Sequence, residues 1–295
     1  MSSHSLYQRR KRPGEAFLLS AIYGAASLSV FLLVGIIGYL FWKGFRVFSI
    51  RFFTSVTNSL KGTMGIAGNL VNTLYIVVMT LLIAIPVGVG AAIYMSEYAK
   101  QGRLTQIFSF ATELLAGIPS VLFGLFGMVF FGGVMGLGYS LLNGALTMTL
   151  MLLPLIVRNT QEALRNVPDS YRNGAIGMGA DKWHMIRTVL LPSAAPGILT
   201  GVILAVGRIV GESTALIFTA GSARMLPRLG REIGENIVRL WEKVWDSGGT
   251  LTVELYLQMQ NGEYELAFGI GCVLLILVLL INMLLKLAVR GFRKA

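Results

Sequence analysis

Long uncharged apolar blocks alternate along the chain with shorter charged segments. Six blocks reach the roughly 20 residues that a helix needs to cross the hydrocarbon layer of a membrane. They cover residues 16–42, 70–95, 104–131, 136–157, 196–220 and 266–285. Strands are not expected within them, because an isolated strand cannot satisfy its backbone groups in lipid. The pattern therefore predicts an all-α membrane protein with six transmembrane helices.

Composition and charge agree with a membrane protein and exclude a soluble globular domain. Hydrophobic residues make up 55% of the 295 residues and charged residues only 13%, with a mean hydropathy of +0.70, whereas soluble domains carry about 25% charge. The formal net charge is +11. Basic residues are most numerous in segments 9–12, 100–103, 158–187 and 286–294, so the positive-inside rule predicts that both termini are cytoplasmic.

The first apolar block follows a basic cluster, as in a signal peptide, but it is too long for a cleaved one and predicts a retained signal anchor. We expect a basic cytoplasmic N-terminus at 1–15, a first transmembrane helix with an external loop at 16–69, a main helical domain at 70–290 and a cytoplasmic C-terminus at 291–295. Two connections, a cytoplasmic one at about 158–195 and an external one at about 221–265, are too long for simple turns.

The external connection contains one patterned stretch. Leu251, Leu255 and Leu257 alternate with the polar residues Thr252, Glu254 and Gln258. Such a segment lies on the membrane surface or caps the helix bundle. A plain solvated loop is the alternative that the pattern leaves open.

The cytoplasmic connection contains start and stop signals for two short helices. We call this pair of helices the elbow (residues 169–192). Asp169 or Ser170 can cap a first helix that ends near Gly179, and Asp181 can cap a second helix that Pro192 stops. The second helix is expected to expose four apolar side chains, namely Trp183, Met185, Ile186 and Val189. These either rest on lipid headgroups or form a knob that fits into a groove of a soluble partner.

Two ionisable residues lie inside the fifth apolar block. Arg208 and Glu212 are four residues apart, so a continuous helix would place them on one face, where they can pair. An arginine at mid-membrane costs at least about 2.5 kcal/mol and usually marks a substrate pathway. The alternative is a self-neutralised pair that only fixes packing. Ser213 and Thr214 add hydroxyl groups, which either face the pathway or bond back to their own helix.

The third block carries an acidic residue and a line of small residues. Glu113 begins a helical stripe that continues with Ala116, Gly117, Ser120, Gly124 and Gly127. Small residues allow close helix contact, so the stripe is predicted to be chiefly a packing seam. Pro119 should kink this helix beside Ser120, where a freed carbonyl could line the pathway. The sequence names no partner for Glu113.

The fifth block also contains two small-xxx-small patterns. Gly197 with Gly201, and Gly207 with Gly211, permit a neighbouring helix to approach near Arg208. Because the chain has six spans and one such charged face, a central pathway is more naturally formed between two subunits than inside one.

The sequence offers no candidate residues for a disulfide, a metal site or a nucleotide-binding loop. Cys272 is the only cysteine, and His4 and His184 are far apart in sequence, so neither a disulfide nor a ligand cluster is predicted. No G-x-x-x-x-G-K-[ST] loop occurs that could hold a nucleotide.

Three stretches resemble a known family. Residues 172–192 read RNGAIGMGADKWHMIRTVLLP and look like the EAA loop of ABC-importer permeases, with Ala175, Gly179 and Leu191-Pro192 at matching positions. Asn173 and Gly174 depart from the usual Glu and Ala. Residues 113–127, ELLAGIPSVLFGLFG, and 196–221, PGILTGVILAVGRIVGESTALIFTAG, resemble permeases of the high-affinity phosphate importer, and the latter stretch is more similar to the PstA type than to the PstC type.

This resemblance implies a type I ABC-importer permease (MetI-like) that forms half of a phosphate pathway. Implied partners are a PstC-like permease, a pair of PstB-like ATPase subunits that bind ATP and Mg, and an external PstS-like phosphate-binding protein. The pathway residues would be Arg208, Glu212, Ser213, Thr214, Ser120 and Glu113. The ATPase-coupling residues would be Asn173, Gly174, Ala175, Gly179, Ala180, Asp181, Lys182 and Trp183.

Several alternatives stay open. The same fold could carry sulfate, molybdate or phosphonate. A secondary transporter or channel would need neither the elbow nor an ATPase, and a signalling scaffold would leave the buried charges without a role. In the preferred interpretation the chain is a transport subunit and not itself an enzyme.

Overall fold

The computed structural model describes residues 13–58, 63–100, 102–227, 230 and 232–292. The basic cluster at 9–12 and residues 293–295, on which the predicted termini partly rest, lie outside this range. The helices of the described residues are α1 (Pro13–Gly44), α2 (Ile50–Thr54), α3 (Ala67–Ile93), α4 (Arg103–Gly117), α5 (Ser120–Gly127), α6 (Leu141–Arg165), α7 (Asp169–Gly177), α8 (Lys182–Met185), α9 (Leu191–Gly211), α10 (Thr214–Thr219), α11 (Ile233–Glu242), α12 (Leu251–Gln260) and α13 (Tyr264–Phe292). Wider π-helical turns cover Tyr94–Tyr98, Met128–Val134 and Ile186–Leu190.

The number of predicted spans is confirmed. Among the described residues, five helices are long and apolar enough to cross a membrane, and the bent pair formed by α4 and α5 brings the number to six when its two segments are counted as one span. The fourth helix is displaced from its predicted range of 136–157, because α6 begins at Leu141 and continues to Arg165. The connection on the elbow side is therefore shorter than predicted.

One small β-ribbon interrupts the helical pattern. Strand β1 (Val56–Asn58) pairs antiparallel with β2 (Thr63–Ile66), and Val56 lies opposite Ile66. The ribbon lies in the connection between α1 and α3, outside the spanning helices. The sequence predicts no strands within the apolar blocks, and the structure has helices there.

The centre of the bundle is formed by α3, α6 and α9. Ile76, Met148, Leu152 and Ile209 are buried together in its apolar core. Glycine allows these helices to approach closely, since a Cβ atom at Gly88 would lie only 2.7 Å from Ile156. At the periphery, α1 packs against α13, and Tyr39 meets Phe268 edge to face at 5.6 Å.

The third span is broken at Pro119, as its sequence predicts. The segments on either side of Ile118 and Pro119 are bent by 102° relative to one another. Proline has no amide N–H to donate and clashes with the preceding turn, which explains a break at this residue. The small-residue stripe is a packing seam only in α5, where Gly124 lies against Ala215 of α10, while Ala116 and Gly117 of α4 remain exposed.

The fifth span differs from the prediction at both ends. The helix that begins at Lys182 runs through Pro192 and Pro196 to Gly211, so the prediction that Pro192 stops the second elbow helix is wrong. A π turn precedes Pro192, and a helix tolerates proline where its hydrogen-bond ladder is already shifted. The helix then ends at Gly211 rather than reaching residue 220.

Candidate functional site

A break in the fifth span separates α9 from α10. Glu212 adopts an extended backbone conformation (φ −86°, ψ 121°). Its Oε1 accepts a hydrogen bond from the amide N–H of Ala215 at 3.1 Å. The carboxylate thus satisfies one of the open N–H groups at the start of α10.

This geometry overturns the predicted pairing of Arg208 with Glu212. Pairing at a spacing of four residues requires a continuous helix, and α9 ends before Glu212 is reached. Within the part of the chain that the structure describes, Arg208 makes no ion pair. Arg208 is exposed on the surface of the chain.

We call the surface around Arg208 the open face, and define it by Leu204, Gly207, Arg208 and Gly211. Leu204 is exposed, and a Cβ atom added at Gly207 or Gly211 would meet no atom within 4 Å. The other small-residue pair of α9 is closed, since added Cβ atoms at Gly197 and Gly201 would lie 2.6 Å from Ala163 and 2.7 Å from Asn159. One pattern therefore packs against α6, and the other leaves room for a second chain.

A cavity of about 510 Å³ lies beside the break. Ser213 and Thr214 line it, together with Tyr139, Tyr256 and Gln260. The Gln260 amide donates to the Tyr256 hydroxyl at 2.7 Å, which leaves the phenol proton available to another acceptor. Hydroxyl groups can donate to an oxyanion and can also accept from one that carries a proton.

The sequence prediction missed Tyr139, Tyr256 and Gln260. Each lies in a connection or a short helix far in sequence from residue 213, and only the tertiary fold brings them to the cavity. Of the two pathway candidates on the third span, Ser120 is the first residue of α5 and lies next to Val121, a wall of the cavity. Glu113 lies across the bend on α4, where its carboxylate is 3.5 Å from Arg158. The structure thus supplies the partner that the sequence could not name.

Helix α12 fixes the end of α9. The Thr252 hydroxyl lies 3.2 Å from the Val210 carbonyl and 3.1 Å from the Glu212 carbonyl. These carbonyls have no intrahelical partner because the helix stops there. The patterned stretch of the connection at about 221–265 is therefore a helix that caps the bundle, which excludes the solvated loop.

A buried polar network holds α12 in place. Glu254 is 1% exposed and accepts hydrogen bonds from Arg224 Nε at 2.7 Å and Gln258 Nε2 at 2.6 Å. Asn69 of α3 donates to the Gly249 carbonyl at 3.0 Å. Lys243, which precedes α12, is buried and donates to the Ser247 carbonyl at 3.4 Å; burial lowers its pKa, and the carboxylate of Asp246 partly opposes that shift. A buried charge is tolerated only with such partners.

The elbow has the predicted short first helix, α7, and a second helix that begins at Lys182 as predicted but continues into the fifth span. Gly179 has a φ of +85°, a conformation that favours glycine, and Asp181 Oδ1 accepts from the His184 amide at 3.1 Å as the cap of α8. The predicted cap of the first helix is wrong: Pro168 precedes α7, and no side chain caps it. The side chain of Asp169 instead lies 3.0 Å from Arg172.

Of the four apolar side chains predicted to be exposed on the elbow, one is exposed. Trp183 is exposed and Val189 is partly buried, but Met185 and Ile186 are buried in a cluster with Leu164 and Leu190. The tip exposes other apolar side chains, chiefly Ile176 and Met178. Of the coupling candidates, Ala175 is buried and Ala180 partly buried, and the exposed ones are Asn173, Gly174, Gly179, Asp181, Lys182 and Trp183.

Arg172 anchors the elbow to the bundle, a role that sequence reasoning missed. Its guanidinium group donates to the carbonyls of Leu164 at 2.8 Å and Val167 at 2.9 Å. It also pairs with Glu97 at 3.1 Å, whose side chain is 8% exposed. The contact ties α7 to the ends of α6 and α3. A possible signal was the acidic residue at the end of the second apolar block.

Over the described ranges, no group of three His, Cys, Asp or Glu side chains lies close enough together to hold a metal ion.

Comparison with known proteins identifies relatives of this chain. Residues 84–294 match the family model described as binding-protein-dependent transport system inner membrane component. The probable ABC transporter permease protein YqgI of Bacillus subtilis (strain 168) is 39% identical over 205 residues, which cover 69% of this chain and 70% of the relative. The phosphate transport system permease protein PstA of Xylella fastidiosa (strain Temecula1) is 34% identical over 228 residues, 74% of this chain and 76% of the relative.

The solved structures agree in fold. A chain of the bacterial alginate ABC transporter, crystallised with its alginate-loaded periplasmic protein, superimposes with a TM-score of 0.67. The match covers 96% of this chain and 97% of the other at 16% identity. The arrangement of spans is therefore that of an ABC importer subunit.

Proposed function

Because this chain belongs to the binding-protein-dependent transport system inner membrane components, we propose that it forms one half of the phosphate pathway of an ATP-driven importer. It is a multi-pass inner-membrane permease subunit with the type I ABC-importer (MetI-like) fold. Its family is a transport component and not an enzyme. Phosphate is proposed because relatives such as the PstA protein of Xylella fastidiosa carry that name.

The observation that carries the proposal is the exposed Arg208 on an open face of the fifth span. Arginine suits phosphate because its planar fork donates two parallel hydrogen bonds and stays charged at any physiological pH. Glu212 caps α10, so it does not neutralise Arg208 from its own helix. The contact between Arg208 and the anion is instead kept weak because Arg208 is exposed to the pathway. Conduction requires such weak binding sites.

The cavity at Ser213 and Thr214, which follow Arg208 in the chain by five and six residues, would receive the anion. Its hydroxyl groups, with those of Tyr139 and Tyr256, bond phosphate oxygens whether or not these are protonated. Glu113, already paired with Arg158, and Ser120 remain peripheral candidates. Nothing in this set of hydroxyls rejects another tetrahedral oxyanion, so a sulfate, molybdate or phosphonate importer is the second candidate.

The proposed complex has four kinds of subunit. A PstC-like permease would cover the open face and complete the pathway. A pair of PstB-like ATPase subunits, which hold ATP and Mg, would bind the elbow. An external PstS-like protein would deliver phosphate at the side of α12. Both termini of this chain would then lie in the cytoplasm, as the basic residues of the elbow side favour.

The elbow tip is proposed to bind the ATPase. Ile176 and Met178 are exposed on a rigid element that Arg172 fixes to the bundle, and such an apolar tip suits a groove on a soluble subunit. Closure of the ATPase pair would then move the bundle as a rigid body. Met178→Glu should lower the amount of ATPase subunit that copurifies, whereas Glu162→Gln, an exposed change on α6, should not. Equal copurification of both variants would refute this role.

The substrate is tested by uptake of radiolabelled phosphate into proteoliposomes that contain the co-expressed complex. Uptake that requires ATP and resists excess sulfate and molybdate supports the phosphate importer. Uptake that sulfate or molybdate blocks would transfer the substrate to the second candidate. Uptake without ATP or an ATPase subunit would contradict an ABC mechanism.

A further inference from the structure

A second cavity, of about 800 Å³, lies on the elbow side of the bundle between the end of α3 and the start of α4. Two cationic residues, Lys100 and Arg103, line it. None of the residues that line it within the described ranges is acidic. The pathway and the elbow tip described above use neither of these cations.

Both cations are available to a ligand. Lys100 and Arg103 are exposed, and neither makes an ion pair within the described residues. The acidic residue nearest in sequence, Glu97, is held by Arg172 and is 8% exposed. Lys182 of the elbow adds a third positive charge, since its Nζ lies 4.9 Å from the centre of the Tyr98 ring.

The rest of the cavity is apolar and aromatic. Ala91, Met95 and Phe108 supply hydrocarbon surface to the cavity, and Tyr94 and Tyr98 also line it. Tyr94 is 59% exposed and Phe108 is 38% exposed. Tyrosine is enriched where the hydrocarbon layer meets the headgroups, because its ring is apolar and its hydroxyl is polar. The cavity therefore suits an amphiphile with a negative head.

We propose that this cavity binds one anionic phospholipid, with the headgroup phosphate between Lys100 and Arg103 and an acyl chain along Met95 and Phe108. Basic pockets between transmembrane helices on the cytoplasmic side are suited to such headgroups. A free phosphate ion would leave the apolar wall without a partner. The lipid would also touch the elbow, because Lys182 packs on Tyr98 and Glu97 pairs with Arg172.

The proposal is tested by native mass spectrometry of the purified full-length chain, loaded with phosphatidylglycerol or with phosphatidylcholine. We expect one tightly held phosphatidylglycerol and no equally retained phosphatidylcholine. Lys100→Gln with Arg103→Gln should weaken retention about thirtyfold, at about 1 kcal/mol for each cation. The matched control, Arg165→Gln with Arg187→Gln, removes two exposed cations on the same side that do not line the cavity, and should retain the lipid.

Each alternative outcome overturns the proposal. Equal retention by the two double variants would show that the cavity does not select the lipid. Displacement of phosphatidylglycerol by millimolar glycerol 1-phosphate would assign the site to a soluble phosphate. The single variant Lys100→Gln serves if the double variant does not fold, and unchanged retention there, with normal thermal unfolding, would also refute the site. None of these outcomes depends on which anion the pathway carries.

Discussion

Arg172 in the elbow and Arg208 on the open face are treated in opposite ways by the fold. Arg172 reaches two backbone carbonyls and the carboxylates of Glu97 and Asp169. Arg208 makes no ion pair in the described residues and stays exposed beside two glycines with empty space above them.

The difference separates a structural charge from one kept for another molecule. A guanidinium group with all its donors engaged stabilises the elements that it joins, and its removal leaves buried acceptors unsatisfied. An arginine that the chain leaves open within a membrane span needs a partner from outside, either substrate or subunit. Mutations at the two sites should therefore affect different quantities.

The largest expected effect is on stability, from Arg172→Gln. The change leaves Glu97 buried without its cation and two carbonyls without donors, which should cost about 3 kcal/mol of unfolding free energy. Thermal unfolding of the purified chain measures it. Adding Glu97→Gln should recover part of the loss, because the uncompensated carboxylate is removed. No change in stability would show that the elbow is held by its apolar cluster alone.

Arg208→Gln should leave thermal unfolding unchanged but lower ATP-dependent phosphate uptake by about 10- to 100-fold. This range corresponds to the loss of charge-assisted hydrogen bonds to one anion. Arg208→Lys keeps the charge without the planar fork and should fall between wild type and Arg208→Gln. Normal uptake by Arg208→Gln, in a complex that assembles fully, would remove Arg208 from the pathway.

The two glycine pairs of α9 offer a matched test, because one pair is packed against α6 and the other lies on the open face. Gly201→Leu should destabilise the chain by about 2 kcal/mol, because its Cβ would lie 2.7 Å from Asn159. Gly211→Leu should not destabilise the isolated chain, since nothing lies within 4 Å, but should prevent assembly with a second permease. Copurification of the two permeases measures their assembly. Similar thermal unfolding of both variants would contradict the comparison.

The smallest expected effect concerns the link between α12 and the break. Thr252→Val removes the hydroxyl whose one proton is shared between the Val210 and Glu212 carbonyls, at a cost of about 1 kcal/mol in unfolding free energy. Thr200→Val serves as the control, because that hydroxyl bonds only within its own helix and lies in an exposed position. Equal destabilisation by both would show that α12 does not fix the end of α9.

Local chemistry made much of the fold predictable. Apolar block length identified the spans, Pro119 the bend, and Gly179 with Asp181 the elbow, because each acts on its own few residues. The break at Glu212 was not predictable, since the spacing from Arg208 suits a continuous helix. It is fixed by Thr252, 40 residues away in sequence. The contact between Arg172 and Glu97 spans 75 residues, and periodicity carries no information at that separation.

The uninterrupted helix from Lys182 to Gly211 gives the molecule a lever. It contains 30 residues and is about 45 Å long, so a tilt of about 10° at the elbow would displace the far end by about 8 Å, a distance larger than a phosphate ion. Its far end is tied to α12 through Thr252, and α10 beyond Glu212 packs against α5. Because closure of the ATPase pair would move the bundle as a rigid body, the length of this helix would convert a small rotation at the elbow into a large displacement of the surface that carries Arg208.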